Sequence, residues 1–254
     1  MNISRSKTPQ NDLEAAGGGD GRLNDPLLSK KSEESEAQRL RWKFIRKVYT
    51  ILSLQMLLTI AVSAAVVFAT PVSLFAYSPA GITLFVFLIF LIVMVMIPLH
   101  YYRHYKPCNL ILLGVFTVSI SFAVGFACAF IDGKVILESA ILTTVVLVSL
   151  TIYTFLAADR VQDFTFLGPY LFSASLIIMF FIVIQILFSM GKIATMIYGG
   201  LASLVFSAYI IYDTSKIINA YDIEDYVWVI VKLYLDIINL FLSITNLFKA
   251  SNKN

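Results

Sequence analysis

The sequence predicts an all-α, multi-pass membrane protein: a seven-helix bundle behind a disordered N-terminal tail. Three observations predict it. The 254-residue chain is 59% hydrophobic and only 14% charged, with mean hydropathy +0.83, where soluble domains carry about 25% charged residues. The charges are unevenly placed, because residues 1–47 hold ten of the 19 Lys and Arg and seven of the 16 Asp and Glu. The rest of the chain divides into apolar segments, each near the ~20 residues that cross about 30 Å of hydrocarbon.

Residues 1–38 read as the tail. Gly17-Gly18-Gly19 and the mixed-charge run from Lys30 to Glu36 carry no apolar periodicity, so no packed core is expected there. The bundle is expected over 39–250, with a short polar terminus at 251–254. Its seven segments fall at approximately 46–69, 80–99, 109–131, 135–157, 166–188, 193–218 and 226–248, joined by short loops such as Pro71–Ser78. The first apolar stretch begins near residue 44, too late and too long for a secretory signal peptide, and reads as an uncleaved signal anchor.

Arg39, Arg41, Lys43, Arg46 and Lys47 immediately precede the first segment. Beside an apolar run such a cluster sets topology rather than binding nucleic acid. The loop Pro71–Ser78 holds no Lys or Arg, and the loop from His100 to Lys106 holds two. This alternation places the N-terminus in the cytosol. Seven full crossings put Lys249 and Lys253 on the far side; a re-entrant last segment would return them, and the sequence leaves both open.

Small and hydroxyl side chains recur inside the segments: Gly114, Ser119, Ser121 and Gly125; Thr143, Thr144 and Thr154; Gly199, Gly200 and Ser203. Such residues let helices approach closely and bond across a membrane bundle. Cys108 and Cys128 lie 20 residues apart on one predicted helix, about 30 Å, too far to bridge.

The most informative stretch is the last. Segment seven carries Lys232, Asp236, Asn239, Ser243 and Asn246 at steps of four, three, four and three, a single polar stripe on an otherwise apolar helix. A stripe of this kind faces a bundle interior or a water-filled path. Segment six carries Asp213, and a short acidic turn makes the two segments antiparallel neighbours. At 1.5 Å per residue the two aspartates lie roughly 9 and 15 Å from one boundary, so a side-by-side pair is expected. Two carboxylates at that separation cannot both ionise cheaply; they share a proton at moderate pH and become a dianion when alkaline or when a cation neutralises them. Hard cations such as Ca²⁺ prefer carboxylate oxygens, so Asp213 and Asp236 are candidate gate, pH-sensor and transient Ca²⁺-binding residues. Lys232, four residues before Asp236, and Lys216, three after Asp213, are candidate latches, with Asn239, Ser243 and Asn246 as pore-lining residues. The same lysines could instead hold each aspartate in a structural ion pair. Glu138 is a candidate cation entry at the far mouth. His100 and His104, in a basic tyrosine-rich loop, make an incomplete metal set.

No phosphate-cradling Gly-rich loop, nucleophile elbow or His-Glu-x-x-His is present, so the reading is non-enzymatic and without a resident cofactor.

Tyr212-Asp213-Thr214 with Leu233-Tyr234-Leu235-Asp236-Ile237 resembles the C-terminal signature of the transmembrane Bax inhibitor motif family. Leu150–Phe155 (LTIYTF), Asp163-Phe164 and Leu167-Gly168-Pro169 resemble its middle, and the aromatic-rich entry Arg41–Gln55 resembles its Lifeguard branch. The likeness covers about residues 40–250. The resemblance implies a compact bundle in two layers around the last helix, a pH-sensitive calcium leak from intracellular stores, and suppression of programmed cell death. It implies that the paired aspartates are Asp213 and Asp236. Some relatives latch that pair with a basic residue in an early membrane helix; segments two and three hold no Lys or Arg, which shifts the role to Lys232 or Lys216. Expected surroundings are a lipid bilayer, Ca²⁺ and cell-death regulatory membrane proteins, in an endomembrane (endoplasmic reticulum, Golgi or vacuole) or the plasma membrane. The alternative is a non-conducting scaffold that protects cells through protein partners.

Overall fold

A computed structural model describes residues 26–102, 105, 107–158, 164–188, 191–219 and 226–252. Among them there are eight α-helices and no strand: α1 (Pro26–Phe68), α2 (Thr70–Ala76), α3 (Pro79–Tyr101), α4 (Cys108–Ala129), α5 (Gly133–Ala158), α6 (Gly168–Leu187), α7 (Lys192–Asn219) and α8 (Tyr226–Ser251). Seven of these, all but α2, are long and apolar enough to cross a membrane. The chain is a multi-pass membrane protein.

The chain forms two compact units, residues 1–40 and 41–254. In the first, residues 1–25 lie outside the described residues, and the helix begins at Pro26. Residues 26–38 of the expected tail are drawn into the first turns of α1. The run Glu33–Arg41 is built, apart from Ser35, from Glu, Ala, Gln, Arg and Leu, strong helix formers that need no apolar face to favour the helix. Its residues 33–40 are all exposed.

In the second unit α8 is the axis. Of the membrane-crossing window of α8, 61% is buried, and of α4 50%, against 11–22% for α1, α3, α5, α6 and α7. The last segment, left open as re-entrant, is an unbroken helix of 26 residues. It packs chiefly against the antiparallel α7, with α5 lying across both, α4 on a further side, and α6 outside α7. The core gathers Phe44, Val48 and Leu52 of α1, Phe116 and Ile120 of α4, and Ile230, Leu233, Ile237 and Leu240 of α8.

The expected loop over Pro71–Ser78 is instead the two-turn α2 and a corner. Pro71 falls in its first turn, where a missing N–H is harmless. Ser78 then caps α3: its Oγ accepts from the Gly81 N–H at 3.1 Å. Several hydroxyls inside the spans are satisfied locally. Thr117 and Ser121 of α4 donate to the carbonyls of Leu113 and Thr117, both at 2.7 Å, and Ser139 and Thr143 of α5 donate to those of Val135 and Ser139 at the same distance.

The small residues sort into two kinds. A Cβ on Gly125 would lie 2.9 Å from Val66 Cβ, and one on Gly199 would lie 2.9 Å from both Ser243 O and Leu247 N. Gly125 thus lets α1 and α4 touch, and Gly199 does the same for α7 and α8. Gly114 and Gly200 face nothing within 4 Å.

Candidate functional site

The α7–α8 seam brings the two aspartates together. Asp213 and Asp236 are 6% and 8% exposed, and their carboxyl groups lie close enough to act on each other. Two carboxyl groups can bond only with a proton between them. Asp236 Oδ2 is buried without a hydrogen-bond partner. Long apolar faces on both helices hold the pair below the surface, and the close backbone approach at Gly199 lies about 20 Å further along α7. Thr214 Oγ1, beside Asp213, is also buried and unpartnered, with the Tyr49 hydroxyl of α1 facing it.

Both lysines lie within electrostatic reach. Lys232 acts on each aspartate, and Lys216 on Asp213. Their ammonium groups also lean on aromatic rings of their own helices: Lys216 Nζ is 4.3 Å from the Tyr212 ring centroid and Lys232 Nζ is 5.8 Å from that of Trp228. Around the start of α8, Lys47 Nζ of α1 sits 3.5 Å from the Tyr226 ring, and the His100 ring of α3 meets Trp228 edge-on at 4.7 Å. His100 is therefore part of an aromatic collar; His104 lies outside the described residues.

The polar stripe of α8 is divided by depth. Asp236 and Ser243 are buried, while Lys232, Asn239 and Asn246 are partly buried. Ser243 Oγ donates to Asn239 O at 2.7 Å, and its own carbonyl is the one Gly199 approaches. Glu138 is not brought to the pair. It lies near the start of α5, 3.9 Å from Lys134, with its side chain 42% exposed. Among the described residues no group of three or more His, Cys, Asp or Glu converges on a metal position, so the pair offers two carboxylates and no third.

A second polar cluster, on the other flank of α8, does not follow from the sequence. The Tyr234 hydroxyl hydrogen-bonds Thr59 Oγ1 at 2.7 Å, Ser121 Oγ reaches the same Thr59 oxygen at 3.1 Å, and Gln55 Nε2 donates to Thr117 Oγ1 at 2.7 Å. Tyr234 is fully buried, with the Phe116 ring edge-on at 6.3 Å. The cluster ties α1, α4 and α8 together at mid-span. The one signal that could have revealed it is Gln55, an amide inside an apolar run.

The Tyr212 hydroxyl reaches the start of α6, 2.9 Å from where a Cβ on Gly168 would stand. Two of the motifs noted in the sequence thus meet in space.

The family model described as Inhibitor of apoptosis-promoting Bax1 matches residues 41–253. The chain is 54% identical over 217 residues to Protein LIFEGUARD 4 of Arabidopsis thaliana, covering 85% of this chain and 88% of that protein. It is 39% identical over 224 residues to Protein lifeguard 4 of Mus musculus, covering 86% and 90%. It is 36% identical over 236 residues to the Golgi anti-apoptotic protein of Vaccinia virus (strain Lister), covering 91% and 95%.

Proposed function

Because the chain belongs to the Bax inhibitor motif family and to its Lifeguard branch, we propose that it regulates programmed cell death from within a membrane, as a pH-sensitive calcium leak gated by Asp213 and Asp236. The anti-apoptotic name of the viral relative supports the cell-death role, and its Golgi name supports an endomembrane location. The observation that carries the gate is the burial of two neighbouring carboxyl groups between two membrane-crossing helices.

The chemistry follows from the pair. With one proton shared, the seam is closed by a hydrogen bond. Removing the proton leaves two like charges at close range in a medium of low dielectric, and they repel unless a cation enters or a lysine turns in. In this reading Lys232 and Lys216 latch the deprotonated pair until Ca²⁺ competes. Two carboxylates fall short of the about 6–8 oxygens of a stable Ca²⁺ site, which suits an ion that passes rather than stays. Asn239, Ser243 and Asn246 continue the polar line along α8, and Glu138 supplies negative charge near one end of α5.

Purified protein in Ca²⁺-loaded liposomes tests the reading. Efflux should rise with pH in the wild type, and both Asp213→Asn and Asp236→Asn should change the efflux and flatten its pH response. Flux and pH response unchanged in both variants would discard the gate. If deleting residues 1–38 removes protection from cell death while the aspartate variants keep it, the scaffold reading replaces the channel.

A further inference from the structure

A cavity of about 330 Å³ opens beside α8, between α1, α4 and α5. Its floor is buried: Thr59, Val124, Cys128 and Ile238 are each 6% exposed or less. Its rim is apolar and open, with Ile60, Leu137 and Phe68 at 61%, 62% and 83% exposed. These residues lie in helices that cross the membrane, so the mouth faces hydrocarbon rather than water.

The lining says what fits. It contains no charged side chain, which excludes an ion or a phosphate headgroup. Its hydroxyl hydrogens are already committed: Thr59 to Gln55 O, Ser63 to Ser121 O, Thr143 to Ser139 O and Thr144 to Ala140 O, at 2.7–3.1 Å. A bound water needs two to four polar partners, and apolar cavities stay dry. The volume falls at the lower end of the about 300–1,000 Å³ typical of ligand pockets.

We propose that this cavity is a binding site for one acyl chain of a membrane lipid, entering sideways between α1 and α5. The chain would rest on Ile238 and Phe241. These lie roughly 140–200° around α8 from Asp236, at 3.6 residues per turn. A bound tail therefore braces α8 on the side away from α7. The site stands on its own geometry and does not depend on calcium conduction.

The test is photolabelling in nanodiscs made with a phosphatidylcholine that carries a diazirine in mid-chain, with labelled positions read by mass spectrometry. The floor residues Thr59, Val124 and Ile238 should be labelled, along with Phe172 and Phe180 on the exposed face of α6. Ala140→Trp should lower floor labelling at least fivefold and leave the α6 sites unchanged. Ala64→Leu serves as a second filling variant, and each is scored once it elutes as a single folded species. Floor labelling at background in the wild type, or unchanged labelling in a folded filling variant, overturns the site. A photoreactive sterol that labels the floor and displaces the phospholipid overturns the acyl-chain assignment.

Discussion

Asp213 and Asp236 bring their carboxyl groups together across the α7–α8 seam, and Asp236 Oδ2 is buried without a hydrogen-bond partner. An amide in place of one carboxyl still donates to the other, so Asp213→Asn should fold with a stability change within about 1 kcal/mol. Asp213→Ala removes the donor and leaves a buried carboxyl alone, with an expected loss of about 1–3 kcal/mol. Thermal unfolding in detergent, ranking wild type, Asn and Ala variants, checks the order. Equal losses for Asn and Ala would mean that the pair does not bond.

The Tyr234–Thr59 bond predicts a small, measurable coupling. Interhelical hydrogen bonds in membranes average about 0.6 kcal/mol and reach about 1.7. A double-mutant cycle of Tyr234→Phe and Thr59→Val should return a coupling in that range. Zero coupling would mean that the 2.7 Å contact adds nothing to the packing around it.

Adjacent glycines on α7 make opposite predictions. Gly199→Ala drives a methyl into the Ser243 carbonyl of α8 and should destabilise by about 1–3 kcal/mol. Gly200→Ala meets nothing within 4 Å and should stabilise by about 0.4–1 kcal/mol through the unfolded chain. Unfolding temperatures of the two variants, measured side by side, should fall on either side of the wild type.

The two cysteines report topology. Cys108 is exposed at the start of α4 and Cys128 is buried near its end. A membrane-impermeant maleimide should label one thiol per folded molecule. In sealed microsomes with the cytosolic face outward it should do so without permeabilisation if the N-terminus is cytosolic, as the basic residues before α1 lead one to expect, because two crossings then return the chain to the cytosol before α4. Labelling only after permeabilisation would reverse the proposed orientation.

Glu138 should matter through its field alone. Its contact with Lys134 is long and exposed, and exposed pairs contribute about 0–1 kcal/mol. Glu138→Gln should leave unfolding unchanged and lower liposome Ca²⁺ flux about twofold at low ionic strength, with the difference lost in high salt. An effect that survives high salt would point to direct ion contact.

The parts legible in the sequence are those with a period. The spans declare themselves by length, and the stripe of Asp236, Asn239 and Ser243 declares itself by steps of three and four, so the meeting of α7 and α8 could be anticipated. Thr59, Ser121 and Tyr234 could not, because one hydroxyl on each of three helices has no period, and their meeting is decided by how the helices rotate. The start of α1 at Pro26 is not legible either, because a charged run with no apolar face carries no period to mark where the helix begins. The corner at α2 was missed because seven residues are too few to show a repeat.

The central position of α8 has a consequence for how the molecule is made. Among the described helices the most buried one is also the last to leave the ribosome. At about 5–20 residues per second, α8 arrives a second or more after α7 is complete. Until then Asp213, Thr59 and Ser121 face an unfilled slot in the membrane. A chain interrupted before Tyr226 would expose all three, which makes that slot a natural mark for membrane chaperones and the degradation machinery that surveys unfinished bundles.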